Sequence, residues 1–257
     1  MSTHQPTVAP GLLATLSLAD AIHSDSLEVL KAAASDAALG EDLTLALLKR
    51  NDLAAEIFEQ LIKNATVIKS RKVKLAIIGH SKAPRYVSMA LLRQLFTFDL
   101  MRVALMPAVA GDVKVAAEEV LIKRMETFSF GEKLSLARRA SGRIAAALLA
   151  DPEPRVVAAT LENPRLTDTL VIRAVTSWDS SPELVHALCR HPKWSVRREV
   201  RIALLRNEHT PSVRAFEFSQ SLPVAVLKEI LRNSRLPAEI KTRLLEKRAG
   251  EKRLDPQ

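Results

Sequence analysis

Trp194, Arg197, Arg198 and Arg201 fall within the short stretch "KWSVRREVR", residues 193–201. An indole beside three guanidinium groups can stack on bases and hold phosphates. On a helix running from about Trp194 to Arg206, at about 100° per residue, these four side chains share one face. Val196, Val200, Ala203 and Leu204 then form the core face. Arg190 and Lys193 adjoin the cluster. Arg139 and Arg143, with Arg138, Arg155, Arg232 and Arg235, are bases that folding could bring beside it. The candidate binding residues are therefore Trp194, Arg197, Arg198, Arg201, Arg190, Lys193, Arg139 and Arg143. Leu205 falls on the same face as Trp194. A Trp–Leu stripe predicts contact with a neighbouring helix, with arginine stems laid across it and their heads in water. That packing role is the expectation, ahead of a nucleic-acid surface.

A metal is the second chemistry to weigh. His186 and Cys189 are three residues apart, on one helix face, and His191 follows. A structural zinc needs four ligands, and no second cysteine or paired histidine supplies the rest. No metal and no cofactor are expected. Glu118 and Glu119 are adjacent, and adjacent helical residues do not face each other, so they make a poor acid/base pair. Asp151 and Glu153 flank Pro152 and Pro154 and mark a helix stop and a restart. The glycines are isolated, with Gly111, Gly131 and Gly142 expected at breaks between helices, so no phosphate-cradling loop arises. No catalytic residue is assigned.

The elements that must position these residues are written in punctuation. Apolar-periodic segments stop at Asn51, His80, Asp151, Asn163, His191, Asn207 and Asn233. Asn tolerates the left-handed conformation that ends many helices. Prolines follow, at 84, 154, 182, 211, 223 and 237, and proline suits a first helical turn because its missing N–H has no partner there anyway. Ser181 and Thr210 are expected to cap the helices behind them. Stops recur 29 residues apart from Asn51 to His80, 28 from Asn163 to His191 and 26 from Asn207 to Asn233. Helices of about 9–14 residues are too short to stand alone in water. Pairs of them must lay their apolar faces on the next pair.

Composition agrees. Aromatic residues are 4% and glycines only 7 of 257 residues, against 47% apolar content. Leu, Ala, Arg, Glu and Lys dominate, and these favour helix over sheet. The fold class expected is all-α, a right-handed α-solenoid of stacked short helix pairs. Residues 1–24 are expected as a partly mobile tail, 25–250 as one continuous repeat domain, and 251–257 as a polar tail. The single cysteine, Cys189, excludes a disulfide framework and suits a reducing, cytoplasmic setting. No apolar run is long enough to span a membrane. The net charge of +9 is uneven: residues 1–65 carry −5 and the remainder +14. That suits an anionic partner for the later part, or an acidic cap on one end.

"SVRREVRIALLRNEHTPSVRAFEF" and, more weakly, "EPRVVAATLENPRLTDTLVIRAV" resemble the HEAT/armadillo group of α-solenoids and leucine-rich-repeat-variant repeats with their "VRxxVxxN…TP" pattern. The resemblance extends loosely over about 40–247. It implies a superhelical array that binds partners and specifies no activity. The leading expectation is a non-catalytic binding or scaffolding protein with a protein or peptide partner. The alternative is a nucleic-acid-binding solenoid. Trp178-Asp179, an aromatic beside an acid in a basic helical array, resembles the HEAT-like alkylpurine DNA glycosylases, which implies a damaged base held against the indole. The plainer expectation has Asp179 capping the next helix.

Overall fold

The computed structural model describes residues 16–254, with side chains as far as residue 248. Of the expected tails at 1–24 and 251–257, residues 1–15 and 255–257 lie outside the described residues. The described residues form 17 α-helices and two short 3-10 turns, with no strand among them. None of these helices is long and apolar enough to cross a membrane. The chain divides between Lys123 and Arg124 into two compact units.

The first unit carries α1 (Leu18–Ala21), α2 (Leu27–Ser35), α3 (Glu41–Leu47), α4 (Ala55–Lys63), α5 (Arg71–Gly79), α6 (Arg85–Leu92), α7 (Thr97–Leu105) and α8 (Gly111–Arg124). Helix α1 falls inside the segment expected as a tail. Ser17 caps it by accepting the Asp20 N–H, and Ala21 and Ile22 are buried. The second unit carries α9 (Phe130–Arg139), α10 (Gly142–Leu148), α11 (Pro154–Leu161), α12 (Asp168–Thr176), α13 (Pro182–Arg190), α14 (Arg198–Leu205), α15 (Ser212–Gln220), α16 (Val224–Arg232) and α17 (Ala238–Leu254).

Each helix buries one narrow apolar stripe. In α4 it is Ile57, Phe58 and Leu61; in α13, Leu184, Val185, Leu188 and Cys189; in α16, Leu227, Ile230 and Leu231. Each large apolar side chain so buried contributes about 1.5–3 kcal/mol. The stripes find partners two helices along the chain. In the first unit α2 packs on α4 and α4 on α6, while α3 packs on α5 and α5 on α7. In the second, α9, α11 and α13 stack in one rank and α10, α12, α14 and α16 in another, and α15 packs on α17. An apolar cluster runs through the second unit from Ala145 to Leu244.

The six prolines stand at helix starts. Pro154 and Pro182 open their helices, Pro84, Pro211 and Pro223 are N-caps, and Pro237 immediately precedes α17. Ser181 caps α13 by accepting the Leu184 N–H, as expected. Thr210 does not cap: its hydroxyl donates back to the Leu204 carbonyl at 2.6 Å.

The helix stops work differently from the left-handed ending expected of asparagine. No non-glycine residue among those described has a positive φ. At several stops a side chain instead reaches back to a helix two places earlier. Asn163 donates to the carbonyls of Ala137 and Ala140 at 2.7 and 3.2 Å, at the end of α9. Asn207 donates to Val175 O at 2.8 Å, at the end of α12. Asn64 does the same for Ala34 and Asp36 behind α2. His80 Nε2 donates to Arg50 O at 2.7 Å, and Ser234 Oγ donates to Leu205 O at 2.7 Å. In Asn64, His80, Asn163 and Asn207 the other polar atom accepts a backbone N–H two residues on, as Asn163 Oδ1 does from Arg165. The last carbonyls of a helix have no partner inside it, and here the next stacked helix supplies one.

Gly142, expected at a break, is the first residue of α10, and there it permits a close approach. A Cβ at this position would lie 2.5 Å from the Arg165 carbonyl oxygen and 3.1 Å from Leu170 Cδ1. Gly111 and Gly131 likewise stand in first turns, but in open space.

Candidate partner-binding surface

The opening of α14 is not where the sequence puts it. The helix begins at Arg198, with Arg197 as N-cap, so Trp194 sits in the preceding turn. Helical spacing from Trp194 therefore misplaces two residues. Val196, assigned to the core face, is 62% exposed, and Trp194 is 0% exposed. The Trp194 N–H donates to Leu161 O at 2.9 Å, at the end of α11. Lys193 and Arg197 cover the ring, 4.3 and 5.2 Å from its centre. A base cannot stack on an indole enclosed in this way; Trp194 packs against the end of α11, a contact with a neighbouring helix.

The other candidates are largely engaged. Arg197 holds both carboxylate oxygens of Asp168, at 2.6 and 2.7 Å, and so links the start of α14 to the start of α12. Arg201 donates to Ser195 O at 2.6 Å and lies over the Phe218 ring. Arg190 donates back to His186 O at 3.2 Å. Arg198 is exposed, 3.7 Å from Glu199, and Arg139 is exposed at the end of α9. Only Lys193, Arg197 and Arg201 gather at the Trp194 turn. Cys189 is buried, and burial pushes its thiol up to about 11, outweighing the nearby Arg214 and Arg190. His191 Nδ1 accepts the Lys193 N–H, and its Nε2 lies 3.0 Å from Glu162. Among the described residues no group of three or more His, Cys, Asp or Glu could hold a metal.

The exposed indole is the other one. Trp178, in the turn between α12 and α13, is 85% exposed. The turn under it is pinned. Asn207 bridges Val175 O and Ser180 Oγ, at 2.8 and 2.6 Å, and so ties its two ends together. Arg235 donates to Ser177 O at 2.9 Å and lies 4.8 Å from the centre of the Trp178 ring. Glu208 sits 3.8 Å from Arg235. Asp179 does not cap α13, which Ser181 does; it accepts the Ser177 hydroxyl. That bond, with its own backbone N–H, holds the Asp179 carboxyl below the ordinary aspartate range.

Two grooves flank this turn. One, of about 360 Å³, is lined from α10, α12 and the turn after it, by Arg143, Ala146, Ala147, Leu170, Arg173, Ala174 and Asp179 among others. The other, of about 330 Å³, is lined by Thr176, Trp178, Arg206, Asn233 and Arg235. Of the eight sequence candidates only Arg143 lines either groove. Arg173 and Arg206 are exposed and have no ion-pair partner among the described residues. Sequence reasoning passed over both, although a signal existed. Arg206 precedes the Asn207 stop as Arg232 precedes Asn233, so a base recurs at the end of α14 and α16. Such a base complements the helix dipole and faces outward beyond the packed stripe.

Compared with family models, with curated proteins and with solved structures, the chain matches none.

Proposed function

We propose that this chain is a non-catalytic binding or scaffolding protein, cytoplasmic, built of HEAT-like helix pairs in the right-handed α-solenoid manner. Its second unit takes a protein or peptide partner on the rank formed by α10, α12, α14 and α16. One observation carries the partner reading: a tryptophan 85% exposed on a turn that Asn207 and Arg235 hold fixed, between two grooves. A large exposed indole on a preorganised turn is the kind of anchor that dominates protein interfaces. The repeat reading is supported by the packing of helices two places apart, as α2 on α4, α9 on α11 and α12 on α14, and by the stop residues Asn163 and Asn207 that bond across that step. The polar groups at the turn serve to hold it, since Asn207, Ser177 and Arg235 all bond within the protein.

A second reading, a nucleic-acid surface or a HEAT-like DNA glycosylase, is favoured by charge. Residues 124–257 carry 24 Lys and Arg against 16 Asp and Glu. Affinity capture on the immobilised full chain, with and without nuclease, separates the two. Proteins retained after nuclease treatment agree with the first reading. Retention of nucleic acid alone, or of proteins that nuclease releases, overturns it.

A further inference from the structure

We infer that the segment received at the Trp178 turn is an extended acidic peptide with one aromatic or large aliphatic side chain. Its carboxylates pair with Arg173 and Arg206, and its apolar side chain lies on the open face of the Trp178 indole. The inference rests on the proposed peptide-binding role of the second unit.

Two cations stand unpaired beside the Trp178 turn. Arg173 leaves the last turn of α12 on one side of the turn, and Arg206 follows α14 on the other. They line different grooves, so a ligand that meets both must pass over the turn between them. A guanidinium presents a planar fork that matches a carboxylate with two parallel hydrogen bonds. The indole stands at the crossing point. Arg235, which donates to Ser177 O and lies 3.8 Å from Glu208, sits 4.8 Å from the ring centre, and the indole is 85% exposed. An apolar side chain laid on the free face removes that surface from water.

The remaining charges discriminate between anionic chains. Asp179 follows Trp178 in the turn, its carboxyl held below the ordinary aspartate range, and Glu208 lies 3.8 Å from the Arg235 guanidinium that packs on the indole. A nucleic-acid strand brings a phosphate at every nucleotide and gains affinity by continuous neutralisation. Here its phosphates would pass two carboxylates. A peptide can place acids opposite Arg173 and Arg206 and neutral residues opposite Asp179 and Glu208. The groove lining agrees, because Ala146, Ala147 and Ala174 leave room for a peptide backbone and small side chains. They offer no platform for a second base, whereas single-strand binders stack successive bases on several aromatics.

The test is fluorescence anisotropy on the full chain with four labelled probes. These are a twelve-residue Glu/Asp peptide with a central Phe, its Phe→Ala form, its Gln/Asn form, and a twelve-nucleotide oligothymidine. The acidic Phe peptide is expected to bind. Removing its Phe or its charges, or substituting Trp178→Ala or Arg173→Ala with Arg206→Ala, should each weaken it about tenfold or more, the loss typical of an interface anchor. The peptide-side changes keep the result decisive even if a protein variant were to unfold. Equal binding of all peptides, no binding, or no loss in folded variants overturns the inference. So does an oligothymidine that binds more tightly than the peptide and is lost on the same substitutions. If proteins survive nuclease in the capture experiment and the double-arginine variant still retains them, the binding role stands and only this site assignment fails.

Discussion

The indole N–H of Trp194 donates to the carbonyl oxygen of Leu161 at 2.9 Å, joining the turn after α13 to the end of α11. The only other tryptophan, Trp178, makes its ring contact with Arg235 at the surface. The two positions should therefore respond oppositely to truncation. Trp194→Ala is expected to cost about 3–5 kcal/mol, as for other buried large-to-small changes. Trp178→Ala should stay within about ±0.5 kcal/mol. Urea midpoints at constant slope measure both, and similar losses at the two sites would contradict the assigned burial.

The stop residues divide in the same way. Asn163 is fully buried and bonds Ala137 O, Ala140 O and the Arg165 N–H. Asn163→Ala leaves those groups without partners and should cost about 1–3 kcal/mol or more. Asn233 is exposed and has no side-chain hydrogen bond among the described residues, so Asn233→Ala should be close to neutral, within about ±0.5 kcal/mol. Equal costs at both would show that asparagine acts through its backbone alone.

Gly142 tests the close approach of α10 to Arg165. An added methyl meets a backbone oxygen, which cannot swing aside, so Gly142→Ala should destabilise by about 1–3 kcal/mol. Gly131, also in a helical first turn, has nothing within 4 Å of the same methyl. Gly131→Ala should be neutral or stabilise by up to about 1 kcal/mol, because alanine loses less chain entropy. Thermal melts of the two variants in parallel decide the point.

Cys189 gives a pH dependence with a defined sign. Its thiol ionises at about 11 when folded, against an ordinary value of 9.0. The unfolded chain loses this proton first, so between roughly 9 and 11 it binds fewer protons and stability falls as pH rises. A shift of this size corresponds to roughly 2–3 kcal/mol. Denaturation from pH 7 to 11 should show wild type losing stability relative to Cys189→Ala, whose fixed packing deficit is independent of pH. In the native protein the thiol should also resist alkylation at pH 8, since the thiolate is the reactive form.

Sequence alone marked the all-helical class, the helix starts at the prolines and several of the stops, though not the opening of α14. These are local properties: proline and serine at helix starts, and apolar residues repeating on one stripe, as at Ile57, Phe58 and Leu61, act over a few residues of chain. At those stops it assigned asparagine the wrong physics, because a bond from Asn163 to Ala137 spans a stacking step that spacing does not reveal. Only the tertiary structure decided which tryptophan is buried. Both stand beside charged residues in short turns, and nothing local separates "KWSV" from "SWDS". Trp194 meets the end of α11 and is enclosed; Trp178 meets Arg235, contributed from beyond α16, and stays in water. The arginines followed the same division. Arg197 was claimed by Asp168, while Arg173 and Arg206 were left free, because pairing depends on which helix starts and ends the stack brings together.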